Sequence, residues 1–181
     1  MAKLHFILGG ARSGKSRFAE QEVSLLAEQS DKSRVYIATA QAQDEEMCAR
    51  IKHHQDRRDK QWQTVECPLD LTQTLKQLST TKSVILVDCL TLWVTNWLCQ
   101  HGEGQWQKAK QEFIHQLKNW HSFPADLVLV SNEVGHGIVP MGELSRQFVD
   151  ESGWLHQEVA QYAQQVDFIM AGLPLSLKAS T

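Results

Sequence analysis

Five short apolar runs punctuate the chain, at residues 4–8, 35–39, 84–88, 127–131 and 168–170. Each is nearly continuous rather than alternating, the pattern of a strand covered on both faces of a parallel sheet. A sixth and shorter strand is predicted at 63–67. Between these runs the period is helical. Residues 17–28 place Phe18, Ala19, Val23, Leu26 and Ala27 along one side, and 106–120 do the same with Trp106, Ala109, Phe113, Leu117 and Trp120. Further helices are predicted at 44–58, 71–78 and 143–165, and residues 101–105 read as an exposed loop. Alternating strands and helices predict an α/β fold, a doubly wound sheet flanked by helices. Pro and Gly are sparse, with neither a low-complexity linker nor an internal repeat, so a single domain over 1–181 is expected.

Composition narrows the classes of function. The net charge of −3 offers no electrostatic case for nucleic acid as the main partner. No apolar run approaches the roughly 18–20 residues of a membrane span. The N-terminus enters a strand directly, without the pattern of a signal peptide. Cys48, Cys67, Cys89 and Cys99 lack C-x-x-C spacing, so buried reduced thiols and a cytoplasmic setting are expected. Six tryptophans are many for this length; they serve core packing or a subunit interface.

The chemistry begins at Gly9-Gly10-Ala11-Arg12-Ser13-Gly14-Lys15-Ser16, which fits the phosphate-binding loop G-x-x-x-x-G-K-[ST] between a strand and a helix. Glycines there let backbone N–H groups close around phosphate oxygens, and the helix N-terminus adds partial positive charge. Lys15 can reach the β/γ phosphates and the Ser16 hydroxyl can ligate Mg²⁺. Such a loop needs a carboxylate at the end of a neighbouring strand. Asp88 has that position, either as the Mg²⁺ carboxylate or as an N-cap for the next helix.

Two further stretches carry candidates. In 44–58 acidic residues come first and basic ones last; on a helix Arg50, His54 and Arg57 or Arg58 share a face, with His53 about 100° away. That face can hold a phosphate, and neutral imidazole can attack phosphorus; a plain charged helix has the same pattern. Ser131-Asn132-Glu133-Val134-Gly135-His136-Gly137-Ile138-Val139-Pro140 is a shaped loop at a strand end, where Glu133 could position a hydroxyl acceptor or Mg²⁺. A guanine-specifying [NT]-K-x-D motif is absent, since Thr81-Lys82 is followed by Ser83-Val84, which argues against a regulatory GTPase.

Together the GGARSGKSRFAE, YIATAQAQDEEMCARIKHHQDRR, WQTVEC, VDCLTLWVTN, SNEVGHGIVP and RQFVDESGWLHQEVA blocks resemble one family almost end to end. It is the bifunctional adenosylcobinamide kinase / adenosylcobinamide-phosphate guanylyltransferase family of cobalamin biosynthesis. The resemblance implies a RecA-like P-loop NTPase fold, mostly parallel, assembled as a homotrimer. It implies phosphorylation of adenosylcobinamide by ATP or GTP with Mg²⁺, then transfer of GMP from GTP through a covalent GMP-histidine. The R-I-x-x-H pattern places that nucleophile on His54, with Lys15 the other catalytic residue. Gln55, Asp56, Arg57, Arg58, Ala38, Thr39, Ala40, Glu66 and Asp88 match nucleotide-contacting positions; Ser16 and Asp88 match the Mg²⁺ ligands. A carboxylate at Glu66 could accept from guanine N1–H and its 2-amino group. Gln157, after His156, departs from the Asn expected in many relatives.

Overall fold

A computed structural model describes residues 2–41 and 61–179. Seven strands form one sheet: β1 (Leu4–Gly9), β2 (Ser33–Ala38), β3 (Trp62–Glu66), β4 (Ser83–Asp88), β5 (Asp126–Asn132), β6 (Gln165–Met170) and β7 (Leu173–Lys178). Their order is β3-β2-β4-β5-β1-β6-β7, all parallel except β7, which runs antiparallel to β6. The continuous apolar runs are explained by burial on both faces: every residue of β1 is buried, as are Ser83–Val87 of β4.

Helix α1 (Lys15–Ser30) covers one face. Its buried residues Lys15, Ala19, Val23 and Ala27 recur every fourth position, and the last three pack on Ile7, Val84, Leu86, Val128 and Val130. Small side chains along that line let the helix lie close to the sheet. Helices α2 (Leu71–Leu78), α3 (Leu90–Lys118) and α4 (Glu143–Tyr162) cover the other face, over Leu4, Phe6, Leu8, Ile37, Ile85 and Leu127. A short 3-10 turn at Trp120–Ser122 follows α3.

Several expectations change. Residues 101–105 are exposed, and α3 is two helices joined at a kink there: Gly102, at φ 72° and ψ 178°, leaves helical geometry, so the expected interruption is present as a kink rather than a loop. Helix α4 stops at Tyr162 rather than continuing to 165, because Gln165 starts β6. Strand β7 was not expected at all. Trp93, Trp106 and Trp120 are fully buried, and each indole N–H has an acceptor: Leu69 O, Glu151 Oε2 and Ala125 O respectively. They belong to the core, whereas Trp154 is exposed. Cys67 and Cys89 are buried free thiols; Cys99 is exposed, against the expectation of burial. Cys48 and the helix expected at 44–58 lie outside the described residues. Among the described residues no helix is long and apolar enough to cross a membrane.

Candidate active site

The carboxyl ends of the parallel strands form the edge where ligands bind in such sheets. Strand β1 delivers the loop at residues 9–16 there. Gly14 has φ 93°, a left-handed conformation that suits glycine, and α1 starts at the next residue. Gly9 leaves no room for a side chain: a Cβ would lie 2.5 Å from Ser13 Oγ and 2.7 Å from Ile169 O. From the far side, the turn between β6 and β7 closes on the loop. Gly172 N–H donates to Ser13 O at 2.8 Å, and a Cβ on Gly14 would come within 3.2 Å of Gly172 Cα.

Lys15 is buried, its ammonium donating to Gly10 O at 3.1 Å. Burial pulls its pKa down and the nearby Asp88 carboxylate opposes that shift. Lys15 and Asp88 lie close enough for their charges to interact. Asp88 does not cap α3; the N-cap position is Cys89, whose side chain makes no capping bond to the backbone. Its Oδ2 instead accepts from Tyr36 O–H at 3.2 Å. Burial, with the charge of Asp88, pushes the Cys89 thiol up to about 11, so this cysteine stays protonated beside the site. The Ser16 hydroxyl in the first turn of α1 and the Asp88 carboxylate are hard oxygen donors, a set that suits Mg²⁺ sharing its shell with phosphates and water.

The other candidates spread along the same edge. Glu66, Ala38, Asp88 and Val130 are register neighbours across β3, β2, β4 and β5. At about 4.8 Å per strand, Glu66 stands about 10 Å from Asp88, and β3 about 19 Å from β1. Glu66 is exposed. Thr39 is fully buried and already occupied: its N–H donates to Asp88 O, its hydroxyl donates to Cys89 O and accepts from Cys89 N–H, and its carbonyl accepts from Asn96. It shapes the β2–β4 edge through these bonds. Ala40 continues from β2 on the way to the segment carrying His54. His54, Gln55, Asp56, Arg57 and Arg58 lie outside the described residues.

Residues 5–177 match the family described as cobinamide kinase / cobinamide phosphate guanyltransferase. The chain belongs to that family. The bifunctional adenosylcobalamin biosynthesis protein CobP of Pseudomonas aeruginosa is 49% identical over 176 residues, covering 95% of each chain. The bifunctional adenosylcobalamin biosynthesis protein CobU of Escherichia coli is 38% identical over 183 residues, covering 95% of this chain and 98% of its own. Among solved structures, a KaiC-like protein of Pyrococcus horikoshii shares the fold at a TM-score of 0.52 and 14% identity, over 92% of this chain and 70% of its own. The RecA-like P-loop expectation is met at the level of fold.

One cluster escaped the reading of the sequence. Glu133, at the end of β5, is flanked by His156 of α4, and His156 is bonded to Ser131. The 25 residues between His156 and Ser131 hid the grouping. Burial lowers the His156 pKa to about 4, with Glu133 opposing, so the ring is neutral at physiological pH. The loop continues past it with Ile138, Val139 and Met141 exposed to solvent.

Proposed function

We propose that this chain, acting as one P-loop domain over 1–181, phosphorylates the hydroxyl of the aminopropanol arm of adenosylcobinamide with ATP or GTP. It then transfers GMP from GTP to the resulting phosphate, releasing pyrophosphate and giving adenosylcobinamide-GDP. The single observation that carries the reading is the phosphate loop at residues 9–16, opening α1 at the strand ends with buried Lys15 within reach of the Asp88 charge, in a chain matched to the family over 5–177. The cytoplasm as the compartment and a homotrimer as the assembly belong to the same reading.

In the first step the backbone N–H groups of residues 9–16 and the Lys15 ammonium hold the triphosphate and balance the charge that spreads over the transferring phosphoryl group. Ser16 and Asp88 would hold Mg²⁺, which supplies further charge neutralisation when bound. In the second step neutral His54 attacks the α-phosphorus of GTP and pyrophosphate leaves; the acceptor phosphate then displaces His54 from the guanylyl group. Arg57 and Arg58 are suited to clamp phosphate oxygens, and Gln55 and Asp56 to line the nucleotide. Glu66, about two strands from Asp88, is suited to guanine recognition, so the edge has room for the chemistry of both steps.

The test is incubation of the purified protein with Mg²⁺ and GTP labelled at the α-phosphate, with His53→Ala and His54→Ala in parallel. An acid-labile, alkali-stable label lost only in His54→Ala is the expected result. Phosphorylation of the corrinoid without any protein label would leave a kinase alone and remove the role given to His54.

A further inference from the structure

Glu133 stands at the ligand-binding edge of the sheet, one residue beyond the end of β5. In the sheet order β4-β5-β1, strand β5 lies between the strand ending in Asp88 and the strand leading into the phosphate loop. Asp88 pairs in register with Val130, and Gly9 pairs with Asn132. Glu133 is therefore the first residue beyond that pairing, and its N–H donates to Gly9 O at 3.1 Å. Three residues past the Asp88 row, at about 3.3 Å each, its Cα sits about 10 Å further over the edge. Asp88 acts on Lys15 and is bonded by Tyr36; Glu133 stands beyond the same row of strand ends, its side chain directed to His156 of α4.

Its side chain is held, yet not enclosed. Oε1 accepts from Gly135 N–H at 2.7 Å, and Oε2 lies 3.7 Å from His156 Nδ1. The Glu133 side chain remains 20% exposed while that of His156 is 7% exposed. Behind the ring, Ser131 Oγ is 2.7 Å from Nε2, and Phe6 packs at 5.7 Å between centroids. One tautomer satisfies both contacts: Nδ1–H points at the carboxylate and Nε2 accepts the Ser131 hydroxyl, an assignment made from the network. The order from inside to outside is a buried hydroxyl, a buried imidazole and a partly open carboxylate. A carboxylate whose only task was structural would be expected deeper, with its oxygens fully bonded.

We propose that Glu133 is the catalytic base for the alcohol acceptor of the kinase step, and that His156, backed by Ser131, is the residue that positions it. The inference rests on the kinase reading above. The acceptor oxygen forms a bond to the γ-phosphorus while the bond from that phosphorus to the β-bridging oxygen breaks. The hydroxyl proton passes to the Glu133 carboxylate and then to water, and the nucleoside diphosphate leaves with the electron pair.

The test uses the full chain with cobinamide, a nucleoside triphosphate and Mg²⁺, following corrinoid phosphorylation and, separately, labelling of the protein by α-labelled GTP. Glu133→Gln keeps an acceptor for Gly135 N–H and removes the base. Its kcat for phosphorylation should fall by about 10²–10⁴-fold, the usual worth of general-base catalysis. The KM for the triphosphate should stay within about threefold and the protein label should persist. His156→Leu should lower the same kcat by a smaller factor, and His156→Asn, which can offer an N–H near the Nδ1 position, should recover part of it. A merely structural histidine would lower both activities together and show no such recovery. Phosphorylation by Glu133→Gln within about threefold of the parent overturns the inference. A loss that raised Mg²⁺ restores would make Glu133 a metal ligand and overturn it equally. Parent protein that labels itself but never phosphorylates cobinamide would remove the kinase reading itself, and the role of Glu133 with it; an active parent beside an active Glu133→Gln removes only the latter.

Discussion

Lys15 and Lys110 are equally buried, each with 8% of its surface exposed, and they are opposite in character. Lys110 lies between α3 and α4, its ammonium 2.9 Å from Glu151 Oε2. The same carboxylate accepts from Trp106 Nε1 and Gln107 Nε2, both at 2.6 Å, so charge and hydrogen-bonding capacity are matched on the spot. Lys15 has a carbonyl, Gly10 O, and a more distant carboxylate, Asp88. Its charge is only partly balanced within the protein, and its lowered pKa records that cost. A buried cation with full compensation holds two helices together; one with partial compensation is prepared for an anionic ligand. Glu151 and Glu133 repeat the contrast among acids, the first 1% exposed and fully engaged, the second open on one side.

Substitution separates these two kinds of charge. Lys110→Met leaves Glu151 buried without its cation and should lower unfolding stability by about 3 kcal/mol, the low end for a broken buried pair because Trp106 and Gln107 still donate. Urea denaturation measures it, and activity per folded molecule should be retained. Lys15→Met should not lower stability in the same assay, yet should slow phosphoryl transfer by about 10²–10³-fold, the loss expected from one preorganised electrostatic donor. Equal destabilisation by both substitutions would break the comparison.

A weaker effect comes from pH. His156 is neutral in the folded chain down to about pH 4, whereas an unfolded histidine takes up its proton near 6.5. Between those values the unfolded state binds more protons, so stability should fall as pH drops through that window. Urea midpoints measured from pH 7 to 4 should slope less steeply in His156→Asn; an unchanged slope would assign the acid sensitivity elsewhere, with buried His5 next to consider, its pKa also lowered by burial. The smallest effect belongs to Trp154, whose ring lies 5.7 Å from Lys110 Nζ on the exposed side of that pair. Trp154→Ala should cost about 0.5–1 kcal/mol, the range for an exposed cation–π contact. A loss approaching that of Lys110→Met would mean that the pair depends on its cover more than on Glu151.

The parts legible in the sequence were those written locally. Strands β1, β4 and β5 announced themselves because burial on both faces demands unbroken apolar runs, and the phosphate loop because its spacing is contiguous. The first half of α3 was legible only as a helix after Asp88, without bounds: Leu90-Thr91-Leu92-Trp93-Val94 is too uniformly apolar to show a polar face, and its helix lies deep against the sheet. Strand β7 was missed for the opposite reason. Leu173-Pro174-Leu175-Ser176-Leu177-Lys178 alternates, but it is an exposed edge strand carrying proline, with no core to reveal it. Glu133 was noticed for its place after a strand; its support by His156 depends on how α4 folds back over β5, which no local pattern encodes. Lys110 and Glu151, 41 residues apart, were hidden in the same way.

The docking of the β6–β7 turn on the phosphate loop also sets an order of events during synthesis. Strand β1 leaves the ribosome well before its sheet neighbours, β5 and β6. Gly9 is hemmed in by Ile169, and Ser13 O receives the Gly172 N–H. The nucleotide cradle, translated ahead of those strands, therefore reaches its finished form only when translation has passed residue 172. A chain that lacks residue 172 lacks that closing contact, and a finished cradle reports that β5 and β6 have joined β1.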